Sequence, residues 1–536
     1  MVPLGNLADY KSLDMSFDGD KIHKKKDVYG LFYLIYGGNM SSRILLLNPA
    51  RHFIANEAGV GYLTPLGLVL IGGPLMDAGF EVKLIDHDMN GWPMERLLEE
   101  VAAYQPNYIL LGHSGSTASH NVVVQTVREL RKAFPEIRII YGGVYPSYAF
   151  ESILRQVPEI DVIVRGEGEK TIVELISAWE KGVNLEQVAG IAWRRNGEIM
   201  VNRPQPAIQN LDDYRPGWEL LDWKHYQMFG FDHAAGLQFS RGCTLTCSYC
   251  GQWMFWKKWR HRSPHNIVEN MKLLKEKFGV RLIWFADENF AADRDLAKDL
   301  LERIIAADLG LSLNLNMTAA DVVRDADLLP LYKKAGVDYI VMGVESLKDS
   351  VVAGIRKNNP FATSKEAVRL LRQHDIISLT NIIYGLEDES WQTLFEKFRG
   401  MLELDSDILN AMYLTPHFWT SDGKATDPAK IIQADLAKWS YRNQVIATSY
   451  LNPFELFLGV KLTEALFHLR PKALWRLVAH RDGRYRQIMR TSILAGIRVV
   501  LAEIWEFAFD TKFVKQGKLT EIIGAERSRQ DAAPLA

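Results

Sequence analysis

Three cysteines, Cys243, Cys247 and Cys250, are the only ones in 536 residues, and they stand together in Arg241-Gly-Cys-Thr-Leu-Thr-Cys-Ser-Tyr-Cys-Gly251. Spacers of three and two residues in an irregular loop let thiolates wrap one face of a cubane [4Fe–4S] cluster. Three ligands for four irons leave one iron open, which an electron-carrying ferredoxin does not do. Two other chemistries compete. Cysteine is often a small buried hydrophobe, and a structural zinc site would recruit a fourth ligand, for which His261 and His265 are close in sequence. With every cysteine in one motif there is no disulfide framework, so a reducing, cytoplasmic compartment is expected.

Carboxylates form the second group. Asp287-Glu288-Asn289 and Gly343-Val-Glu345-Ser346 each follow a predicted strand, where an acid either holds a ligand or caps the next helix. Directly after the cysteines runs Gln252-Trp-Met-Phe-Trp-Lys-Lys-Trp-Arg-His-Arg-Ser-Pro264. Indole faces can stack on a flat conjugated ring, and arginines can grip its carboxylates in pairs of parallel hydrogen bonds. Trp253, Trp256, Arg260 and Arg262 are the candidates for this; the bland alternative is core tryptophans and solvated cations.

The elements that must position these residues read as α/β throughout. Apolar runs at 43–47, 81–85, 108–111, 138–141 and 161–164 alternate with helical segments such as 121–133, the pattern of a doubly wound parallel sheet. Ligands bind such sheets beyond the carboxyl ends of the strands. Those ends carry Asn48-Pro49, Gly112-His-Ser-Gly-Ser-Thr117, Gly142-Gly-Val-Tyr-Pro146 and Arg165-Gly-Glu-Gly-Glu169. A hairpin with Asn196-Gly197 at its turn follows, and residues 202–232, with Pro204, Pro206 and Pro216, read as a linker draped between domains. Further strands at 236–239, 281–285, 312–316, 339–342, 378–383 and 408–412 predict a partial TIM-like (β/α)6 barrel over 233–416, with chemistry at the carboxyl ends. Residues 417–526 predict a helical C-terminal cap, in which Arg476 or Arg486 closes the far side of a substrate. A disordered tail follows from Arg527.

Composition is that of a soluble multidomain chain, 48% hydrophobic and 24% charged, and a net charge of −2 excludes general nucleic-acid binding. No stretch predicts a transmembrane helix. Residues 1–40 read as an extension packed on the next domain. Between His468 and Arg498 the only acid is Asp482, so the cap is suited to an acidic substrate, a partner, or peripheral contact with an anionic membrane.

The C-x3-C-x2-C spacing, with Tyr249 before the last cysteine, resembles the radical S-adenosylmethionine (SAM) superfamily. That resemblance implies SAM chelated to the open iron, Glu345 holding its ribose or amino end, and Tyr249 near its adenine. Gly251 and Gln252 would meet the methionine end, with Glu288 a further SAM candidate. The first half resembles the cobalamin-binding domain that precedes many radical SAM cores. The likeness rests on Pro65-Leu66-Gly67-Leu68, the loop bearing Ser114, Ser116 and Thr117, Gly142-Gly143 with Tyr145, and Gly166-Glu167-Gly-Glu169. It implies those residues as cobalamin contacts. The D-x-H-x-x-G motif is missing, which implies cobalamin bound without a histidine from that motif beneath the cobalt; Arg51 or His52 could lie there. A nucleotide-binding sheet is the alternative, but G-x-G-x-x-G does not follow the first strand.

Taken in order, with Gln252-Trp253-x-Phe255-Trp256 after the cysteines, the three parts resemble the oxygen-independent magnesium-protoporphyrin IX monomethyl ester cyclases of bacteriochlorophyll biosynthesis. Membership would imply a tetrapyrrole substrate and a reduced flavodoxin or ferredoxin as electron donor. Hydrogen abstraction from the propionate ester side chain would be followed by oxygen from water and ring closure. Cobalamin-dependent radical SAM methyltransferases share the architecture and form the second reading; a cobalamin-binding sensor is the non-enzyme reading.

Overall fold

The computed structural model describes residues 42–51, 61–112 and 117–522. The expected extension at 1–40, the tail from Arg527, and His52, Ser114 and Ser116 lie outside the described residues.

Short apolar runs build the first sheet. Strands β1 (Arg43–Asn48), β2 (Glu81–Asp86), β3 (Tyr108–Leu111), β4 (Arg138–Gly142) and β5 (Val162–Val164) pair in parallel in the order β2-β1-β3-β4-β5. That is the flavodoxin-like doubly wound order, which places a ligand crevice outside the carboxyl ends. Helices α1 (Leu66–Asp77), α2 (Met94–Tyr104), α3 (His120–Ala133), α4 (Val144–Gln156) and α5 (Gly168–Glu180) cover the two faces, so β1 and β3 are apolar without alternation. The hairpin β6 (Ile191–Arg195) and β7 (Glu198–Val201) adds an antiparallel edge. Its turn residues Asn196 and Gly197 have φ of 51° and 85°, as a two-residue turn with both centres left-handed requires.

The second sheet is the partial barrel. Strands β8 (Ala234–Leu237), β9 (Leu282–Phe285), β10 (Ser312–Asn316), β11 (Val337–Glu345), β12 (Ile377–Tyr384) and β13 (Ile408–Tyr413) run parallel in sequence order, with β8 and β13 at the edges. Helix α1 (Leu66–Asp77) ties the two sheets together. Its Val69 enters the barrel core, and Thr64, just before it, accepts a 3.1 Å hydrogen bond from Gly236 N on β8.

The segment expected as a linker between domains, residues 202–232, is anchored on both: Gly217 N donates to Val69 O of α1 at 2.8 Å, and its aromatic residues enter the barrel. Trp218, Trp223 and Tyr226 are buried in the barrel core. Trp218 Nε1 donates to Asn270 (2.9 Å), and Trp223 stacks on Phe278 at 5.0 Å. The prolines upstream hid these anchors, because the turn residues dominate a reading by composition.

The C-terminal part also departs from expectation. Short 3-10 turns precede the helices α6 (Pro453–His468), α7 (Pro471–Ala479) and α8 (Gly483–Phe509). These do not close over the carboxyl ends of the barrel. Arg476 pairs with Asp405 (2.6 Å) and Asp407 (3.2 Å), just ahead of β13 and so at the opposite, amino end. Tyr485 donates to the same Asp407 at 2.8 Å, and Arg486 is spent on the carbonyls of His480 and Arg481. Acids at the starts of the strands, which the sequence places near no partner, draw the basic helices beneath the barrel. The cap is a brace.

Candidate active site

The cysteine loop leaves β8 and is closed at its neck, where Ser240–Arg241 pairs antiparallel with Arg260–His261. Asp287, at the end of β9, fixes the neck by accepting from Phe239 N (3.0 Å), Ser240 N (2.6 Å) and Ser240 Oγ (2.5 Å). Burial pushes Asp287 up to about 7, partly offset by those three donors. Inside the loop, Cys250 N and Trp253 Nε1 both donate to the Cys247 carbonyl, at 3.2 and 3.0 Å. Ser248 is clamped by Ile355 O (2.9 Å) and Asp422 (2.9 Å). All three thiols are free of disulfides, and burial raises them, Cys250 to about 11. Thiolate ligation therefore has to displace protons held by burial. Among the described residues no three His, Cys, Asp or Glu side chains converge to hold a single metal ion. His261 instead contacts the Arg262 carbonyl at 2.9 Å. The donor set fits a larger body wrapped by thiolates, a [4Fe–4S] cluster, with one iron left without a protein thiolate.

Opposite the loop, β11 ends in a bulge between Gly343 and Glu345, a device that re-aims a side chain. Glu345 sits at φ 64°, a costly backbone for a non-glycine residue. Its Oε1 accepts from Tyr249 OH (2.8 Å) and Lys357 Nζ (2.5 Å). A Cβ on Gly343 would come within 2.1 Å of that oxygen and 2.2 Å of Lys357 Nζ, so a side chain there would displace the pair. The structure thus joins two predicted SAM contacts, Tyr249 and Glu345, directly behind the cysteines. Glu288 lies nearby, accepting from Trp256 Nε1 at 3.2 Å, and burial pushes it up to about 7.

The aromatic and basic segment is turned inward. Arg260 is buried and pairs with Glu167 (2.7 Å), while also donating to the carbonyls of Ile208 (2.6 Å) and Trp256 (2.9 Å). Arg262, 2% exposed, donates to Leu211 O at 2.6 Å, and burial pushes it down to about 10. Neither guanidinium is presented to a substrate carboxylate, which corrects the expectation for both. Trp253 is engaged with the cysteine loop, and Trp256 lies beneath Arg241, whose guanidinium is 5.0 Å from its ring centre. Arg241 in turn meets Glu169 and Glu167 across the domain boundary. Burial alone would push Glu167 up, but Arg260 and Arg241 hold it below the ordinary carboxylate range.

Between the sheets lies a cavity of about 350 Å³. Pro65, Leu66 and Gly67 line it together with Gly142, Gly143 and Glu167, and the second domain adds Gln238, Arg241, Gln252, Phe255 and Trp256. Gly143, at φ 117°, has no atom within 4 Å of where a side chain would begin. This apolar, glycine-edged cradle at the carboxyl ends fits one lobe of a large cofactor such as cobalamin. Thr117 and Tyr145 are not in it. Thr117 Oγ1 shares a 3.0 Å hydrogen bond with His417 Nδ1, and Tyr145 packs edge-on to Phe418 and Trp419. Trp419 also stacks on Tyr148 at 5.3 Å, and its indole nitrogen sits against Gly251. Arg51, considered for the face beneath cobalt, donates its backbone N–H to Asp88 at 2.7 Å. Sequence reasoning missed Lys357, Arg241, Gln238, Phe255, His417 and Trp419. Only Arg241 and Phe255 carried a signal, as neighbours of the cysteines.

A six-stranded parallel partial barrel with a three-cysteine loop after its first strand, joined to a flavodoxin-ordered sheet with glycine-rich ends, defines a cobalamin-dependent radical SAM enzyme. The radical SAM superfamily profile matches residues 237–398, and that of the B12 binding domain matches residues 54–176. The chain belongs to the anaerobic magnesium-protoporphyrin IX monomethyl ester cyclase family. It is 41% identical over 490 residues to the cyclase of that name from Synechocystis sp., covering 91% of this chain and 98% of that one. Identity to the enzyme of the same name from Cereibacter sphaeroides is 30% over 468 residues, or 85% and 75% of the two chains. The fold is also similar to the radical SAM methyltransferase TsrM from Kitasatospora setae, solved with cobalamin and a [4Fe–4S] cluster bound. There the TM-score is 0.64 at 16% identity, over 86% of this chain and 100% of that one. The cofactors are accordingly a [4Fe–4S] cluster, SAM and cobalamin.

Proposed function

We propose that the chain catalyses oxygen-independent closure of the fifth ring on magnesium-protoporphyrin IX monomethyl ester, with reduced flavodoxin or ferredoxin as its electron source. The observation that carries this reading is the near-full-length likeness to the Synechocystis enzyme, which spans the cobalamin domain, the barrel and the C-terminal helices alike. Bound together, the cofactors supply hydrogen abstraction by a 5′-deoxyadenosyl radical and a redox-active cobalt centre. The chain's own part is binding, orientation and exclusion of water. Cys243, Cys247 and Cys250 hold the cluster. Glu345, locked by Tyr249 and Lys357, orients SAM. The cradle edged by Gly142 and Gly143 takes the corrinoid. Glu288, pushed up to about 7, exchanges a proton at neutral pH.

Fold alone does not choose between cyclisation and methylation, because TsrM shares the architecture. Anaerobic incubation of reconstituted enzyme with SAM, reductant and the porphyrin ester in isotope-labelled water decides. The expected product has the new ring and carries the label. A product heavier by a methyl group would favour the methyltransferase reading, and SAM cleavage with the porphyrin untouched would sink both.

A further inference from the structure

We propose that the outward face of α6, α7 and α8 is a docking surface for an anionic lipid bilayer. The proposal stands independently of the porphyrin assignment. On α6 the exposed positions are Phe454, Leu458, Leu462, Ala465 and Leu466, and Leu469 follows at its C-terminal end, an apolar stripe without a single charge. On α7, Trp475 and Val478 are 71% and 72% exposed. On α8, Leu494, Ile497, Leu501, Trp505 and Phe509 repeat at helical spacing, each more than half exposed. The three stripes are neighbours. Phe457 stacks on Phe507 at 4.1 Å between α6 and α8, and Arg490 Nε donates to Leu477 O (3.3 Å) between α8 and α7. Contiguous exposed apolar surface of this kind marks an interaction site.

Charge selects the occupant. Every acid from Phe454 to Phe509 is drawn off the face by the protein. Glu455 caps its own helix at Asn452 N, and Glu464 pairs with Lys461. Asp482 pairs with Lys333, Glu503 with Lys461 and Arg442, and Glu506 with Lys438. The exposed charges in that stretch are all positive: Arg484 is held against the barrel by Asp338 and the carbonyls of Gly310 and Leu311, which leaves Lys472, Arg481, Arg490 and Arg498. Two copies of so uniformly basic a face would set arginines against arginines, whereas anionic headgroups complement them while the leucines and tryptophans enter the acyl boundary. Among the described residues no helix is long and apolar enough to cross a membrane, so the helices lie on the surface.

The test is flotation of the cluster- and cobalamin-loaded enzyme with vesicles of phosphatidylcholine, alone or mixed with phosphatidylglycerol. Binding is expected to the mixed vesicles, to weaken as salt is raised, and to fall at least roughly thirtyfold in Arg490→Glu/Arg498→Glu. Trp475→Ser/Trp505→Ser should lose binding as well, with iron content and SAM cleavage unchanged in both variants. Should a double variant fail to fold, Arg498→Gln alone provides the charge test. Wild-type enzyme that stays with neither vesicle, or charge variants that float like wild type, would overturn the proposal. So would a stable solution dimer that Leu501→Glu dissociates, since the face would then be a self-interface.

Discussion

At the carboxyl ends of the barrel strands, Glu345 is held at φ 64°, burial lifts Glu288 to about 7, and three thiols are raised by burial. At the amino ends the carboxylates are satisfied. Asp338 meets Lys333 (3.0 Å) and Ser312 (2.8 Å), and Asp407 takes Ser378, Arg476 and Tyr485. Asp405 is ringed by Arg372, Arg470 and Arg476, which hold its carboxyl below the usual range against the effect of burial. One barrel therefore has a strained end prepared for ligands and a saturated end that stabilises the fold, with α7 and α8 docked on the latter.

The contrast can be broken most sharply at the cysteines. Cys247→Ala should lose cluster iron and all SAM cleavage while the purified chain keeps its far-ultraviolet spectrum, because the thiol, though buried, is part of none of the apolar core clusters. Retained iron and cleavage in this variant would place the cluster elsewhere. The reverse is expected of Asp405→Asn, which keeps the side chain's shape and its tolerance for left-handed backbone but removes the charge facing three guanidiniums. Denaturant melts should show a loss of about 2–3 kcal/mol, with turnover per bound cluster unaltered. A fall in turnover without loss of stability would erase the distinction between the ends.

The smallest effect sharpens the comparison through pH. His120 and His417 lie where the cobalamin domain meets the end of the barrel sequence, and burial pushes both down to about 4 from an ordinary 6.5. Between those values the unfolded chain binds protons that the folded chain refuses, so this contribution to stability is present at pH 7 and is lost as pH falls toward 4. Asp405, with a depressed value, loses its contribution only below the ordinary carboxylate range. Hydrogen exchange at pH 5 should therefore quicken around residues 117–148 and 415–420 before it quickens around Asp405. Uniform acceleration would contradict the assignment.

How much of this was legible in the chain depended on distance along it. The strands were read within two or three residues, because each is a short apolar run bounded by turn residues, and β10 matched its expected bounds. The cysteine loop was read because all three cysteines fall within eight positions. The two substrate arginines were not, because their partners are remote: Glu167 lies 93 residues from Arg260, and Leu211 lies 51 from Arg262. A guanidinium beside tryptophans looks the same in sequence whether it faces a porphyrin or a buried carboxylate. Trp218 and Trp223 were hidden by neighbouring prolines, and His417 and Trp419 by lying beyond the last strand with no motif.

What the sequence determined by itself, then, was the order of elements, the two-sheet architecture and the loop that gathers all three cysteines, since these rest on local periodicity and on spacing too short for the fold to alter. What only the tertiary structure decided was which end of the barrel the basic helices brace and which way the arginines after the cysteines point. It also decided which lone carboxylate, Glu345, is strained into place against Tyr249 and Lys357. Those outcomes depend on which opposite charges and hydrogen-bond partners are brought together in space after burial, and burial is a property of the packed whole rather than of any segment.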